Sequence, residues 1–414
     1  MKNWKILILS CLIITSCSKS RVTPPPFNPD PNLANTLKIS DTIMRNMEGV
    51  YVIGVGSQEL GTEFVCKVSK KKVSFFSNHA GIYIILDYGL NPVDSSIQFS
   101  GFWRYSEAPT QGLISFDIAK NQGASDLLNG IARNLRLDGN ILNGGSTNES
   151  ISIRYDHPFS DYAKNSNFMI FAHHGVQTVS DPPYIENTIN GVLHDEDYGT
   201  NGLEFDVHLT KDHVPICVHD PGINIRVEEK GPLYGNYIQY TFEFLENYLA
   251  LKDGQKIPSV EQVLTAFIDS TNMKEMWLDV KGDPDIFKYL EPVVKNAYAY
   301  AATKHRDVKI IADLPSQKVI DEFNQQPSYG ASLPSMCELS LQDAIDNHCQ
   351  YFGPRFSLGL LLDDVQKAHS MGIRVYSWTL NSQNLILSYL QEGKFDGFIS
   401  DYPAYVNYYY YTLF

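Results

Sequence analysis

Apolar positions recur along this chain in two different rhythms. From about Lys38 to Asp161 they come in short runs of period two, rich in β-branched and aromatic residues and bounded by Gly, Asn, Asp and Pro. Val50 to Val55, Phe64 to Phe76, Ile82 to Leu86, Ile97 to Trp103, Leu113 to Ile118, Leu135 to Ile141 and Ile151 to Tyr155 read as strands. Strands at this spacing predict an all-β accessory domain, a sandwich or small barrel. From about Asn165 onward, strand-like runs alternate with helical ones. The strand candidates are Phe168 to His174, Leu203 to Leu209, Met276 to Lys281, Val308 to Ala312, Tyr351 to Pro354, Arg374 to Thr379 and Gly397 to Ser400, with one more required around Ser332 to Glu338. Helical periodicity marks Val260 to Ser270, Ile286 to Lys304, Leu361 to Ser370 and Asn384 to Glu392. This alternation predicts a parallel sheet with crossover helices, and residues 165–414 have the length of a (β/α)₈ TIM-type barrel.

The first residues read differently again. Lys2 and Lys5 precede the apolar run Ile6 to Ile14, which is too short to span a bilayer and has the form of a secretory signal. Ile14-Thr15-Ser16-Cys17 resembles the lipobox of bacterial lipoproteins, so residues 1–16 are expected to be removed and Cys17 to carry lipid as the mature N-terminus. A soluble, secreted protein is the alternative. Residues 17–37, with Pro24, Pro25, Pro26, Pro29 and Pro31, suit a tether. The expected address is therefore the envelope of a bacterium, with the membrane reached through the N-terminal lipid.

Composition narrows the partners. The 414 residues carry 47 acidic and 33 basic side chains, a formal charge of −14, with no basic stripe. That balance argues against a nucleic-acid partner, whose phosphates need clustered Lys and Arg, and no protein partner is predicted. Cys66, Cys217, Cys337 and Cys349 form no CxxC pair, so a structural zinc site is unsupported. An oxidising compartment would permit a Cys337–Cys349 disulfide without the sequence requiring it.

The chemistry is concentrated between residues 171 and 281. Glu204, Asp206 and His208 alternate with Leu203, Phe205, Val207 and Leu209, so a strand puts the polar set on the barrel's inner face. Two such carboxylates could pair with Lys or Arg, meet solvent, or share a cation. Asp279, on another strand with Lys281 two residues on, supplies a third, and three carboxylates suit a hard divalent ion, Ca²⁺ or Mg²⁺. Lys281 would then offer a positive charge to an anionic substrate. His173 and His219 end strand-like runs, where barrel enzymes place catalytic groups. A lone histidine there is more often structural, but two beside carboxylates make general acid–base chemistry feasible at neutral pH. In residues 38–161 no comparable constellation occurs, and Phe75, Phe76 and Trp103 read as core.

These residues, in order, resemble the glycerophosphodiester phosphodiesterase family of the phosphatidylinositol-phospholipase-C-like superfamily. The resemblance rests on Phe171-Ala172-His173-His174-Gly175, Glu186-Asn187-Thr188, Glu204-Phe205-Asp206-Val207, Lys211-Asp212, Pro215, His219-Asp220, Leu278-Asp279-Val280-Lys281, Ser377-Trp378-Thr379 and Asp396 to Pro403. It covers about residues 165–405. It implies a metal-dependent hydrolase that cleaves a small-molecule glycerophosphodiester to glycerol phosphate and an alcohol. It also implies that His173 and His219 are the acid–base pair, that Glu204, Asp206 and Asp279 hold one divalent cation, and that Lys281 contacts phosphate. Trp378 would wall the alcohol side or pack in the core, and Glu186 would orient the loop after the first strand. Two positions depart from the family pattern: His174 stands where the family has Arg, at a substrate-binding position, and Asp279 where it has Glu. The first removes a bidentate phosphate grip, and the second withdraws the carboxylate by one methylene. A phospholipase acting on an intact lipid, or a non-catalytic ligand-binding lipoprotein, remain as alternatives, and the β domain could serve as a spacer.

Overall fold

The computed structural model describes residues 31–414 apart from 57, 71, 109, 144–146, 176–183 and 327–332. The signal, Cys17 and most of the proline-rich stretch lie outside the described residues.

Eight antiparallel strands between Gly49 and His157, each paired with its neighbour in sequence, close into a barrel. Seven runs were expected. The eighth strand arises because Phe64 to Phe76 is two strands, Glu63–Val68 and Val73–Phe76, folded back on each other around Ser69 to Lys72. Alternation fills the interior with Tyr51, Phe64, Cys66, Phe75, Ile84, Leu86, Phe99 and Trp103. On the first four strands the outward positions are apolar as well. Val50, Val65, Phe76, Tyr83 and Ile85 face out of this barrel and join the core of the second one.

The second barrel is closed by eight parallel strands: Met169–Ala172, Gly202–Leu209, Glu275–Val280, Lys309–Leu314, Ser335–Cys337, Tyr351–Phe352, Arg374–Ser377 and Gly397–Ser400. The last pairs with the first, Ile399 opposite Phe171, which completes the cylinder. The strand sought around Ser332 to Glu338 is Ser335–Cys337. The short strand Pro215–Cys217 is not one of the eight; it runs antiparallel beside the second strand. Inside, Phe171, Trp277, Ile311, Met336, Tyr376 and Ile399 form an apolar plug, so the functional cavity can open only above it, at the carboxyl ends of the strands. Outside, Leu203, Phe205, Val207 and Leu209 pack with Val260, Val263, Leu264 and Phe267 of the helix Val260–Ser270. That helix starts where it does because Ser259 accepts from the Gln262 N–H while Gln262 reaches back to Ser259.

The last helix, Pro403–Leu413, binds the two barrels together. Tyr405 donates to Glu107 at 2.8 Å, Tyr408 to Glu63 at 2.9 Å, and Lys67 to the Tyr411 hydroxyl at 3.3 Å. Tyr83 and Tyr198 meet edge to face at 4.9 Å. The two barrels thus share one core. Cys66, Cys217, Cys337 and Cys349 are buried free thiols, so the Cys337–Cys349 bridge is not formed. Among the described residues, no helix is long and apolar enough to cross a membrane.

Candidate active site

Strand register builds the site. In the parallel pairing of the second and third strands Asp206 stands opposite Asp279, and Asp279 stands opposite Asp313 on the fourth. Side chains at matched positions on adjacent parallel strands point to the same face, so three aspartates line up on the inner wall. Glu204, one inward position below Asp206, completes the group. Oxygens of Glu204, Asp206 and Asp279 lie within 4.8 Å of one another. Lys281 stands beside them, 2.5 Å from Asp279 and 2.7 Å from Asp206.

The first strand delivers the histidines through a left-handed turn, His174 at φ +54 and Gly175 at φ +83. The turn directs the His174 N–H at Glu204, at 2.8 Å. Its ring reaches Asp206 through Nδ1 at 2.5 Å and His173 through Nε2 at 2.6 Å. His173 Nδ1 lies 2.6 Å from Asp401, which is held by Asn381 at 2.6 Å. One proton assignment satisfies the whole chain: charged His174 donates to Asp206 and to His173 Nε2, and neutral His173 donates from Nδ1 to Asp401. His219 comes in from the loop after Pro215–Cys217, its ring 4.9 Å from that of His174. Its Nδ1 is 2.9 Å from Asp220, leaving Nε2 unengaged by that carboxylate.

Electrostatics follow from burial and proximity. Burial would depress His174, but the Glu204 and Asp206 carboxylates override it and hold its pKa up to about 9. Burial and the neighbouring His174 lower the pKa of His173. Burial pushes Glu204 up to about 8, with Asp206 and Asp279 adding to the push. Asp206, also buried, is nevertheless held well below the usual carboxylate range by His174 and Lys281. Crowded acids of this kind are what a cation relieves. The fit to a divalent ion is supported by the donor set, three hard carboxylates, and by Asp279 Oδ1, which is buried without a hydrogen-bond donor.

All the expected residues meet at one cavity of about 410 Å³: His173, His174, Glu204, His219, Asp279, Lys281 and Trp378 line it, with Asp206 directly behind. Trp378 donates to the Gly353 carbonyl at 2.8 Å, with the Arg355 guanidinium over its ring at 5.3 Å. His174 does not present the free fork of the arginine it replaces. Both of its ring nitrogens are engaged, with Asp206 and His173. Glu186 takes a paired contact from Arg226, which also holds Asp220 at 2.9 Å. This ties the loop after the first strand to the segment 221–255. His208, on the same inward row, turns instead to Asp283 at 2.8 Å.

Several residues escaped the sequence reading. Asn187, within a quoted block, is buried and holds Asp206. Asp401, inside another, orients His173. Asp313 and Glu338 line the cavity as further acids, and burial pushes Glu338 up to about 8 and Asp313 higher than its usual range. Alternation with Ile311 would have placed Asp313 inward; nothing in the local sequence marks Glu338.

Comparison with known proteins places the chain beside one family. The model of the glycerophosphoryl diester phosphodiesterase family matches residues 173–405. The Bacillus subtilis (strain 168) protein YhdW, provisionally named a glycerophosphodiester phosphodiesterase, is 23% identical over 247 residues, covering 57% of this chain and 96% of that protein. Among solved structures, a glycerophosphodiester phosphodiesterase of Parabacteroides distasonis is 20% identical with a TM-score of 0.48, covering 60% of this chain and 98% of that one. An Oleispira antarctica phosphodiesterase in complex with the product sn-glycerol-3-phosphate is 18% identical with a TM-score of 0.45, covering 57% of this chain and 94% of that one. Because the family match takes in more than half of the sequence and every residue that lines the cavity, the chain belongs to the glycerophosphoryl diester phosphodiesterase family.

Proposed function

We propose that this cavity hydrolyses glycerophosphodiesters to glycerol phosphate and an alcohol, with His173 and His219 as the acid–base pair. The observation that carries the reading is the convergence of three carboxylates, one lysine and two separately oriented histidines on one opening in a chain of this family. Glu204, Asp206 and Asp279 would hold one divalent ion, Ca²⁺ or Mg²⁺, which supplies charge neutralisation at the phosphate. Lys281, held among the same acids, adds a fixed positive charge for a phosphate oxygen, and such preorganised charge favours the more highly charged transition state. One imidazole takes the proton from the attacking oxygen as the O–P bond forms, whether that oxygen is water's or the neighbouring glycerol hydroxyl's, in which case water then opens the cyclic ester. The other gives a proton to the departing alcohol oxygen as its bond to phosphorus breaks. The Asp401–His173 and Asp220–His219 contacts favour Nδ1 as the protonated nitrogen of each ring; His219 then offers Nε2 for transfer, whereas His173 Nε2 accepts from His174, so a proton taken or given there would pass within the His173–His174 pair. Trp378 walls the alcohol side.

The expected layout belongs to the same proposal: a signal at 1–16, a lipid-bearing Cys17 with a tether to 37, a β domain at 38–161 and a catalytic domain at 165–414, exported and membrane-anchored. What supports it is the sequence pattern alone. The activity is tested by following glycerol phosphate release from glycerophosphoglycerol with added Ca²⁺ or Mg²⁺, then with a chelator. Release that stops with chelator and returns with the ion is expected. No release with either ion overturns the reading.

A further inference from the structure

The crevice between the two barrels opens into a second cavity of about 320 Å³, at the far end of the parallel barrel from the catalytic one. Phe168, Asn201 and Lys274 in its wall each stand just before one of the first three parallel strands, at their amino ends. Charge sets this cavity apart. In a chain of net charge −14, its lining brings four cations, Arg45, Lys67, Lys164 and Lys274, against two acids, Glu48 and Glu196, an excess of two positive charges. These cations do not hold the barrels to each other. Lys67 pairs with Glu48 at 3.4 Å within the β barrel, and Lys164 meets Asp161 at 3.9 Å within the short helix Asp161–Asn165. The Arg45 and Lys274 side chains form no ion pair among the described residues. Glu48 is already occupied, since it also accepts the Val68 N–H at 3.0 Å. Burial raises the pKa of Glu196, which accepts from the Asn272 backbone, so the one acid contributed by the parallel barrel is weakened as a counter-ion. A concave wall of one sign concentrates ions of the other, and cations gathered without carboxylate partners are relieved by a bound anion.

The chemistry of that anion can be narrowed. The donors come from separate elements: Arg45 from the turn Arg45–Met47 of the β barrel, Lys164 from the helix joining the barrels, and Lys274 from the approach to the third parallel strand. Donors arriving from several sides suit a tetrahedral group with three terminal oxygens better than a planar carboxylate, and a guanidinium with ammonium groups is a common grip on phosphate. The excess of two positive charges matches a phosphomonoester dianion. Lys67, whose ammonium lies over the Tyr411 ring at 4.6 Å and the Phe159 ring at 5.3 Å, is a fixed charge behind the three. We infer that this crevice binds a phosphomonoester group, with Arg45, Lys164 and Lys274 as its contacts. Because both barrels supply those contacts, the anion binds their docked state and stabilises it. This site lies outside the catalytic cavity and does not depend on the hydrolytic reading.

The test follows thermal melting of the full chain in chelator as inorganic phosphate replaces chloride at matched ionic strength. A rise of about 2–4 °C at about 20 mM phosphate is expected. The rise should be lost in Arg45→Gln and in Lys274→Gln, exposed positions taken from different barrels, where the change leaves both cores intact. A general salting effect of phosphate, or phosphate held in the catalytic cavity, would persist in both variants. No rise in the wild type, or a rise that either variant keeps, overturns the inference. The source of the phosphate is read from sedimentation of the Cys17→Ser chain, which carries no lipid of its own, with phosphatidylcholine vesicles that contain or lack phosphatidic acid. Co-sedimentation that needs phosphatidic acid and is lost in Lys274→Gln assigns the site to a lipid head group. No co-sedimentation beside the melting gain assigns it to a free phosphomonoester.

Discussion

Asn187 and Asp206 clasp each other reciprocally: the Asn187 amide donates to Asp206 Oδ2 at 2.7 Å and its carbonyl oxygen accepts the Asp206 backbone N–H at 2.9 Å. Both residues are buried, and Asn187 holds a left-handed conformation at φ +57, which asparagine tolerates better than most residues. This contact fixes the carboxylate that His174 and Lys281 also share. Replacing Asn187 with Ala leaves a buried N–H and a carboxylate oxygen short of partners, a cost of about 1–3 kcal/mol. The Asn187→Ala variant is therefore expected to lose that much stability in denaturant titration and to lower kcat at least tenfold. Unchanged kcat would remove Asn187 as a positioning residue.

Arg226 acts at greater distance. It bridges Glu186 and Asp220, and Asp220 in turn holds His219. The guanidinium is half exposed, so the network contributes little to folding, about 0–1 kcal/mol. Its consequence is orientation of the imidazole. Arg226→Ala should leave the melting temperature within a few degrees of wild type while reducing kcat several-fold and moving the pH–rate profile, because Asp220 is freed from its anchor. An unmoved profile with full kcat would reduce the bridge to a surface ion pair.

The crowded acids make a prediction about stability in the ion-free protein. Glu204 titrates near 8 when folded against 4.5 ordinarily, Glu338 likewise, and His174 near 9 against 6.5. In each case the folded state keeps a proton that the unfolded chain gives up, so stability is greatest below the ordinary pKa and is lost as pH rises through the folded one. Asp206 has the opposite sign, but its change is complete below pH 4. Chelator-treated protein should thus show a melting temperature that falls from about pH 4.5 to about pH 9. A divalent ion should flatten that fall by replacing the protons. A level profile in chelator would mean that the acids are not crowded as described.

The accessory barrel is expected to be a structural necessity for its neighbour. Val50, Val65, Phe76, Tyr83 and Ile85 share one core with Tyr198, Tyr405 and Tyr408, and fully burying one large apolar side chain is worth roughly 1.5–3 kcal/mol. A chain restricted to residues 165–414 should therefore melt well below the full protein or aggregate on expression. Equal melting temperatures would make the β barrel a dispensable appendage.

Much of this was legible before the structure. Alternation along Leu203 to Leu209 assigned the acids to the inner wall and the aliphatics to the helices because a strand allows no other division. Apolar periodicity alone marks the helix Val260–Ser270 to its ends, and the capping box of Ser259 and Gln262 is the physical reason for its start. Other features depend on pairing between distant segments. The turn within Phe64 to Phe76 carries only Lys and Ser, without the Gly or Pro that would punctuate it. The docking of the two barrels was written in the two-sided apolar runs Phe64-Val65-Cys66 and Tyr83-Ile84-Ile85-Leu86, whose second face implies a second core. The charge on His174 could not be read from residue type, because it is set by two carboxylates that arrive from another strand.

The central claim is that the residues meeting above the apolar plug perform phosphodiester hydrolysis, and His219 tests it most directly, since its half-exposed ring can be removed without opening the core. The decisive measurement is the rate of glycerol phosphate release by His219→Ala beside wild type, at matched protein concentration and with the folded state checked by thermal melting. A fall of at least a hundredfold, in line with the roughly 10²–10⁴ that acid–base catalysis contributes, with an unchanged melting temperature, is predicted. Wild-type release from the folded variant would contradict the account.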